Sequence, residues 1–487
     1  MPPAGPGDPV AYGVNDRFDF TSPVPAAAEL GQVHVLAIGG SGMSGVAALL
    51  HDVGVSVSGC DGASSAVTDR LSAAGIPVAR GHDPAHLDGV DTVVVSSAIR
   101  ESVPELQAAR VNGIRVLHRA QALAASMGSD TRVAVAGANG KTTTSAMTVA
   151  ALRGAGVDPS YVIGSELIES ARNFARGADP IFVAEADESD GSFLSYRPQL
   201  AVVTNVQPDH LDFYGDLAHV EAAYDAFAAS VTEGGLLVAA HDDPGALALA
   251  ARVRAAGGRA VTYGEHPDAQ VCLHDVHLAG MRSSATVEFE GRQVALAVPA
   301  PGRHNLHNAT AALAAGWLGL QLDPEALAAG LASFAGTRRR FENRGQARGV
   351  TVVDDYAHNA PKVAALVAGA RGAVAPGGVL RVVFQPHLYS RTRDFAEGFA
   401  AGLAPADQIV LLPVYGARED PIPGVGSELI AEHLHRMGRP VEVADSPADA
   451  VHRLANSARS GDLILTVGAG DVTLLGPQLL IALTEEF

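Results

Sequence analysis

The 487-residue chain is 47% hydrophobic, has a mean hydropathy of +0.16 and carries a formal net charge of −19. That balance excludes a disordered chain, and a strongly anionic surface argues against a nucleic-acid partner. No apolar run reaches the ~18 residues of a membrane span, the N-terminus lacks a signal peptide's basic start and apolar core, and two cysteines, Cys60 and Cys272, form neither a disulfide framework nor a zinc motif. A soluble cytoplasmic protein of roughly three domains is expected, with no nucleic acid and no membrane insertion.

Residues 1–28, beginning "MPPAGPGDP", read as a flexible lead. From about residue 33, short apolar runs alternate with helical patterns. "VHVLAIG", "VSVSGCD", "DTVVVSSAI" and "IRVLHRA" are strand-like, with "MSGVAALLHDVG" and "PELQAARVNG" between them. This alternation marks a mostly parallel α/β sheet. A second cycle starts at "RVAVAG" and runs through "PIFVAEADES", "QLAVVTNVQPD" and "GGLLVAA". Residues 268–300 change rhythm, and "QVCLHDVHL" and "ATVEFEGRQVALAV" predict antiparallel hairpins. A third cycle comprises "GVTVVDDY", "VLRVVFQPH", "DQIVLLPVYG", "PVEVA" and "DLILTVGAG". The reading is an α/β protein of three domains, each on a mostly parallel sheet with helices: 29–128 Rossmann-like, 129–336 P-loop-like with a small antiparallel insertion, and 337–487 Rossmann-like.

Two glycine loops carry the chemistry. Gly40-x-Gly42-x-x-Gly45 follows a strand and opens a helix, and Asp61 ends the next strand about twenty residues on. Backbone N–H groups at such a helix start suit a diphosphate. NAD(P), another diphosphate nucleotide and a tight turn without ligand all remain open on this pattern. The second loop, Gly137-Ala138-Asn139-Gly140-Lys141-Thr142, is a shortened P-loop: exposed N–H groups cradle phosphate, a lysine adds charge and a threonine can reach Mg²⁺. Only two lysines occur, Lys141 and Lys362, all other side-chain cations being arginine or histidine. Lysine here offers a compact point charge that arginine does not.

Downstream, "EADESD" places Glu185, Asp187, Glu188 and Asp190 at a strand's end, where carboxylates suit Mg²⁺ or form a solvated acidic loop. "TNVQPDHLDFYG" offers His210 beside Asp209 and Asp212. Asn305 and Asn308 open a helix, where amides can read a base edge or cap the helix. Arg338, Arg339 and Arg340 cluster as solvated charges or as a γ-phosphate clamp. "DDYAHNAPKV" and "QPHLYSRTRDF" each follow a strand in the third domain.

The order and spacing of these segments, together with "SSAI", "RRFE", "AREDPIPG" and "GAGD", resemble the Mur ligase family over roughly residues 32–475. The resemblance is strongest to the branch that adds a single amino acid to UDP-N-acetylmuramate. It implies an ATP-dependent ligase joining L-alanine to the lactyl carboxylate through an acyl phosphate, in peptidoglycan precursor synthesis, as a monomer or homodimer. It implies that Gly39, Gly40, Ser41, Gly42, Met43, Asp61, Ser96 and Ser97 hold the UDP-sugar. Gly137, Ala138, Asn139, Gly140, Lys141, Thr142 and Thr143 would hold ATP phosphates, with Asn305 and Asn308 at adenine, Asp355 at ribose and Arg340 at the γ-phosphate. Thr142, Glu185 and His210 match magnesium positions, and His358 and Arg391 match positions near the amino acid. His358 is also a candidate base for the amine.

Departures from the family pattern are Asn139 for the loop's usual histidine, Asn359 and Ala360 for histidine and proline, and Leu388 where some relatives carry arginine. No lysine lies between Lys141 and Lys362, so the carbamylated lysine of several relatives has no counterpart. A ligase attaching a muropeptide, a non-ligating UDP-sugar-binding regulator and an NAD oxidoreductase are the alternatives. "EADESDGSF" disfavours the first, the retained Lys141, Glu185, His210 and Arg340 the second, and the separate phosphate loop the third.

Overall fold

The computed structural model describes residues 17–417 and 419–484, apart from the side chains of Ser41 and Asp212. The expected flexible lead lies outside the described residues as far as residue 16. From Arg17 onward the chain is packed, which corrects that expectation for residues 17–28. The Arg17 guanidinium donates to the Ser97 and Ile99 carbonyls and pairs with Glu101 at 2.6 Å. Phe18 and Phe20 are buried, their rings 5.1 and 5.2 Å from the imidazole of His118.

Three sheets carry the architecture. The first is wholly parallel, in the order Val78–Arg80, Val57–Asp61, Val33–Leu36, Thr92–Val95, Arg115–His118. The second has ten strands. Its parallel centre runs Leu236–Ala240, Leu200–Val203, Thr131–Ala136, Ile181–Glu185, Ser160–Leu167. The antiparallel strands Val271–Ala279, Arg282–Phe289 and Arg292–Val298 extend one side of it, as the alternating pattern of 268–300 predicts. The third sheet has six strands and is parallel except for Glu342–Ala347 at its edge.

Strands covered on both faces read as unbroken apolar runs, and "LRVVF" and "LILTV" in the third sheet show why. Val382, Phe384, Leu463 and Leu465 join one core cluster, whereas Val383 and Ile464 join the cluster on the opposite face. The first two sheets share a single contiguous core. No helix among the described residues is long and apolar enough to cross a membrane.

Strand Thr131–Ala136 lies between Leu200–Val203 and Ile181–Glu185, so chain connections leave it in both directions. The carboxyl ends of these three strands form the crevice where open α/β sheets bind ligands. The P-loop-like turn, the acidic segment and the "TNVQPDH" segment all start there.

His118 joins the first sheet to this crevice. Its Nδ1 accepts the Ala120 N–H at 3.3 Å, capping helix Arg119–Ser126, and its Nε2 lies 3.1 Å from the Ser97 hydroxyl and 3.5 Å from Asp190. Burial lowers the His118 imidazole to about 4, against the opposing pull of Asp190. Protonation would place a hydrogen on Nδ1 and remove the cap.

Two expectations follow. Phe20→Ala should cost about 3–5 kcal/mol in urea unfolding of the full chain, whereas an unchanged midpoint would show that the 17–30 segment is not part of the core. The His118 pKa is depressed on folding, so the unfolded chain takes the proton first. Stability from this group should therefore be intact above about pH 6.5 and decline from there to about pH 4, by up to roughly 3 kcal/mol. Urea midpoints across that window should fall more for the wild type than for His118→Asn, and parallel declines would remove His118 as the cause.

Candidate active site between the glycine loops

The phosphate-type loop is shaped by two glycines in conformations that disfavour side chains. Gly137 has φ +140°, and a Cβ there would lie 2.0 Å from the Thr204 hydroxyl oxygen; Gly140 has φ +87°, and a Cβ there would lie 2.8 Å from Asn308 Oδ1. The loop between them is gripped from the neighbouring strand end. Asn205 Oδ1 accepts the Asn139 N–H and Asn205 Nδ2 donates to the Asn139 carbonyl, each at 2.9 Å, while Thr204 donates to that carbonyl at 2.6 Å. Ala138 is buried, and helix Lys141–Gly154 begins beyond Gly140 with Thr142 and Thr143 in its first turn. Its first backbone N–H groups have no partner within the helix.

Lys141 reaches back over this loop. Its Nζ donates to the Gly137 carbonyl at 2.7 Å and to Glu188 Oε1 at 2.8 Å. Burial alone would lower this ammonium, but Glu188, with Asp187 and Glu185 behind it, carries it above its usual range and keeps it charged. Thr142 donates to Glu185 Oε1 at 3.0 Å, and the other oxygen of Glu185 accepts the Gly164 N–H at 2.6 Å. His210 adopts a left-handed conformation (φ +52°), and its ring lies with Asp187 and Glu188, their donor atoms within 4.8 Å of one another. Thr142 and Glu185 form one contact pair, and His210 lies with the next two acids.

The first glycine loop meets the same acidic segment from the other side. The Gly39 N–H donates to Asp61 Oδ2 at 2.9 Å, tying the loop to the neighbouring strand end. Helix Ser41–Asp52 starts after Gly40, and beside Gly42 stands Arg119, whose guanidinium is 3.6 Å from Asp187. The Ser97 hydroxyl donates to Asp190, and Ser96 accepts the Ile99 N–H at 3.1 Å through its carbonyl. The Ser41 side chain lies outside the described residues. The Met43 side chain is buried in the core, which leaves its backbone N–H as the group that can face a ligand.

Asn305 and Asn308 are buried on helix Arg303–Ala314. Asn305 donates to the Pro301 carbonyl at 2.7 Å, and Asn308 packs against Gly140. The three neighbouring arginines divide sharply. Arg338 pairs with Glu342 at 2.7 Å, and Arg339 donates to the carbonyls of Gly468, Ala469 and Gly470. Arg340 pairs with no acid among the described residues, and its guanidinium lies over Tyr356 at 5.8 Å. Asp355 accepts the Phe341 and Ala357 N–H groups, both at 2.8 Å, and burial raises its carboxyl.

His358 Nδ1 donates to the Tyr356 carbonyl at 3.0 Å, which leaves the Nε2 lone pair free to accept. Burial lowers this imidazole to about 4, and Arg391 and Lys362 add to the effect. Arg391 donates to the His358 carbonyl at 3.3 Å, so the two expected amino-acid residues are adjacent.

Sequence reasoning passed over one participant and two placements. Asn205 grips the loop through pairing between strands far apart in sequence. Ser97 and Asp190 meet only because two sheets abut. Lys362, on the third domain, has its ammonium 4.0 Å from Asp209; burial lowers it, Asp209 opposes that, and Lys141 and Arg340 add to the lowering. The signal for Lys362 was present in the composition: the chain's two lysines converge on one crevice. A cavity of about 420 Å³ opens beside it, lined by Gly164, Ser165, Glu166, Asn173, Arg338 and Arg339 among others.

Known proteins share this arrangement. Three family profiles match in succession: the Mur ligase family catalytic domain over residues 32–131, the Mur ligase middle domain over 135–316 and the Mur ligase glutamate ligase domain over 339–470. The chain is 52% identical to a UDP-N-acetylmuramate–L-alanine ligase of Kineococcus radiotolerans, across 96% of this chain and 100% of the relative. It is 50% identical to one of Renibacterium salmoninarum, across 93% and 96%. Among solved structures it resembles the UDP-N-acetylmuramate–alanine ligase of Thermotoga maritima, with a TM-score of 0.76, 26% identity, and coverage of 92% of this chain and 98% of that one. With two glycine loops converging on one acidic segment, three profiles in register and half-identical relatives matched along their whole length, the chain belongs to the Mur ligase family.

Proposed function

We propose that the protein joins L-alanine to the lactyl carboxylate of UDP-N-acetylmuramate at the expense of ATP, through an acyl phosphate, in peptidoglycan precursor synthesis. One observation carries this reading most directly. The six residues Glu185 to Asp190 take Thr142 and Lys141 from the ATP-type loop and Ser97 and Arg119 from the domain of the first loop. A nucleotide-borne carboxylate on one side and a triphosphate on the other thus meet at one strand end. A redox enzyme has no use for that meeting.

A carboxylate resists attack by an amine, so ATP first transfers its γ-phosphoryl group to the carboxylate oxygen, releasing ADP. The amine nitrogen then adds to the acyl carbon, and phosphate leaves with the C–O bond electrons. Lys141 supplies positive charge to the transferring group by exchanging Glu188 for phosphate oxygens, and Arg340 supplies a second charge. Lys362 brings a third cation from the closing domain. Backbone N–H groups from Gly137 to Thr143 cradle the phosphates, Asn308 and Asn305 stand on the adenine side, and Asp355 on the ribose side. Gly39 to Met43, Asp61, Ser96 and Ser97 hold the UDP-sugar.

Hard oxygen donors suit Mg²⁺, and Thr142 with Glu185, together with His210 beside Asp187 and Glu188, would hold it. Bound there, the ion would neutralise phosphate charge and orient the triphosphate. Burial lowers the imidazole of His358, which favours its neutral form. It serves to orient the amine through its Nε2 lone pair, while the guanidinium fork of Arg391 pairs with the amino-acid carboxylate.

Phosphate release measured with ATP, UDP-N-acetylmuramate and each candidate amine in turn should depend on L-alanine, and turnover with an intact muropeptide alone would assign the enzyme to the other branch. In that assay Lys141→Ala should lose on the order of 10²-fold or more in kcat while UDP-N-acetylmuramate still binds. Lys362→Met should lose roughly tenfold, with the same binding retained. Loss of UDP-sugar binding by a folded Lys141→Ala protein would refute the division into two sites. Arg391→Lys should raise KM for L-alanine, because a point charge cannot replace a bidentate fork, and leave KM for ATP little changed. The reverse pattern would place Arg391 at the nucleotide.

A further inference from the structure

A second cluster of metal-type donors lies in the first domain, apart from the crevice. His34 is on the first strand, Cys60 is on the second next to Asp61, His82 precedes the helical turn Pro84–Leu87 that contains His86, and Glu105 is in the first turn of helix Pro104–Val111. The donor atoms of His34, Cys60, His86 and Glu105 lie within 4.8 Å of one another. Glu105 is fully buried, and its carboxylate is held by the Nδ1 atoms of His82 and His86, each at 2.7 Å, while Cys60 Sγ is 3.4 Å from His82 Nδ1.

His34 does not fit a purely structural network. It is 2% exposed, and its Nδ1 is 2.9 Å from the Ser58 hydroxyl, which itself faces the Val33 carbonyl. With the Ser58 hydroxyl turned to the Val33 carbonyl at 3.4 Å, its oxygen can accept from Nδ1, and that tautomer leaves the lone pair on Nε2. Nε2 is buried, has no hydrogen-bond partner, and points at the Glu105 carboxylate from 3.9 Å. In that tautomer a lone pair faces a buried carboxylate, and burial holds the imidazole neutral, at about 4. A cation between the two converts that contact into coordination.

We propose that His34 Nε2, Cys60 Sγ, His86 Nδ1 and Glu105 form a tetrahedral site for a borderline divalent transition metal of the zinc type. Imidazole and thiolate donors select such an ion over Mg²⁺. Metal–nitrogen bonds of about 2.0–2.1 Å and metal–sulfur bonds of about 2.3 Å require donors roughly 3.3–3.8 Å apart, so the wider pairs, which lie within 4.8 Å, must close slightly, and His86 Nδ1 must move off Glu105 Oε1 from 2.7 Å. On binding, the Cys60 thiol loses its proton to solvent, and His86 carries its proton on Nε2, leaving Nδ1 for the metal. His82 and His86 are 29% and 23% exposed, which gives an entry path. The absence of a zinc motif in the sequence is no obstacle, because these ligands come from separate elements. The site would tie the first two strands to the following turn and helix, directly behind the Asp61 that anchors the first glycine loop.

Cobalt(II) reports thiolate ligation through a near-ultraviolet charge-transfer band. Full-length protein dialysed against chelator and titrated with Co²⁺ alone should develop that band to one equivalent and lose it on adding Zn²⁺. Cys60→Ser should abolish the band and Cys272→Ser should retain it. These are the only two cysteines, so Cys272→Ser decides the matter even if Cys60→Ser fails to fold. No band in the wild type, a band surviving in folded Cys60→Ser, or a band lost in Cys272→Ser would overturn the site.

Discussion

The buried contact between Lys141 and Glu188 is the constraint around which the crevice is arranged. An ammonium that is only 14% exposed and a carboxylate that is 2% exposed are each costly to desolvate alone. Together they fix the lysine across its own loop, with its second hydrogen bond on the Gly137 carbonyl. The Tyr214 hydroxyl donates to the Glu188 carbonyl, so the segment after the neighbouring strand holds the acid in place. The ion pair thereby couples three strand ends. It also sets a charged lysine, stretched to its reach, where phosphate oxygens can take the place of the carboxylate.

The third domain is joined to this centre through a short connection with unusual backbone. Arg339 and Phe341 have φ of +56° and +48°. Arg339 spends its guanidinium on three successive carbonyls of the "GAGD" turn, and its N–H on Glu342. Asp355 accepts the Phe341 N–H, so the connection is pinned at both ends. Strained, pinned backbone of this kind holds one orientation until a ligand with a preference alters it. Arg340 sits between these pinned residues, makes no ion pair among the described residues and lies over the Tyr356 ring.

Legibility in the sequence followed the range of the interactions. Both glycine loops were readable because the turn, the helix start and the lysine fall within a few residues. The sheet classes were readable because two-sided burial yields unbroken apolar runs and one-sided hairpins yield alternation. Asn205 was not readable, since its two hydrogen bonds to Asn139 exist only through pairing of strands about 65 residues apart. At Met43 the motif specifies a backbone position, while the side chain turns into the core. Glu185 also accepts the Gly164 N–H, a contact that residue spacing does not encode.

The departures from the family pattern acquire a physical sense from the same geometry. At position 139 the loop is held entirely through backbone atoms, and the side chain is exposed. Asparagine there keeps the loop's shape. At position 359 the substitution is constructive. The Asn359 side chain accepts the Lys362 N–H at 3.0 Å and caps helix Ala360–Arg371, with Pro361 in its first turn. The cap fixes the start of the helix that carries the chain's second lysine toward Asp209. Asn359 and Lys362 therefore act as one unit: the asparagine aims the helix, and the helix delivers a cation to a crevice whose overall protein field is anionic. A chain of net charge −19 that must collect two phosphorylated substrates needs its few positive charges concentrated in this way.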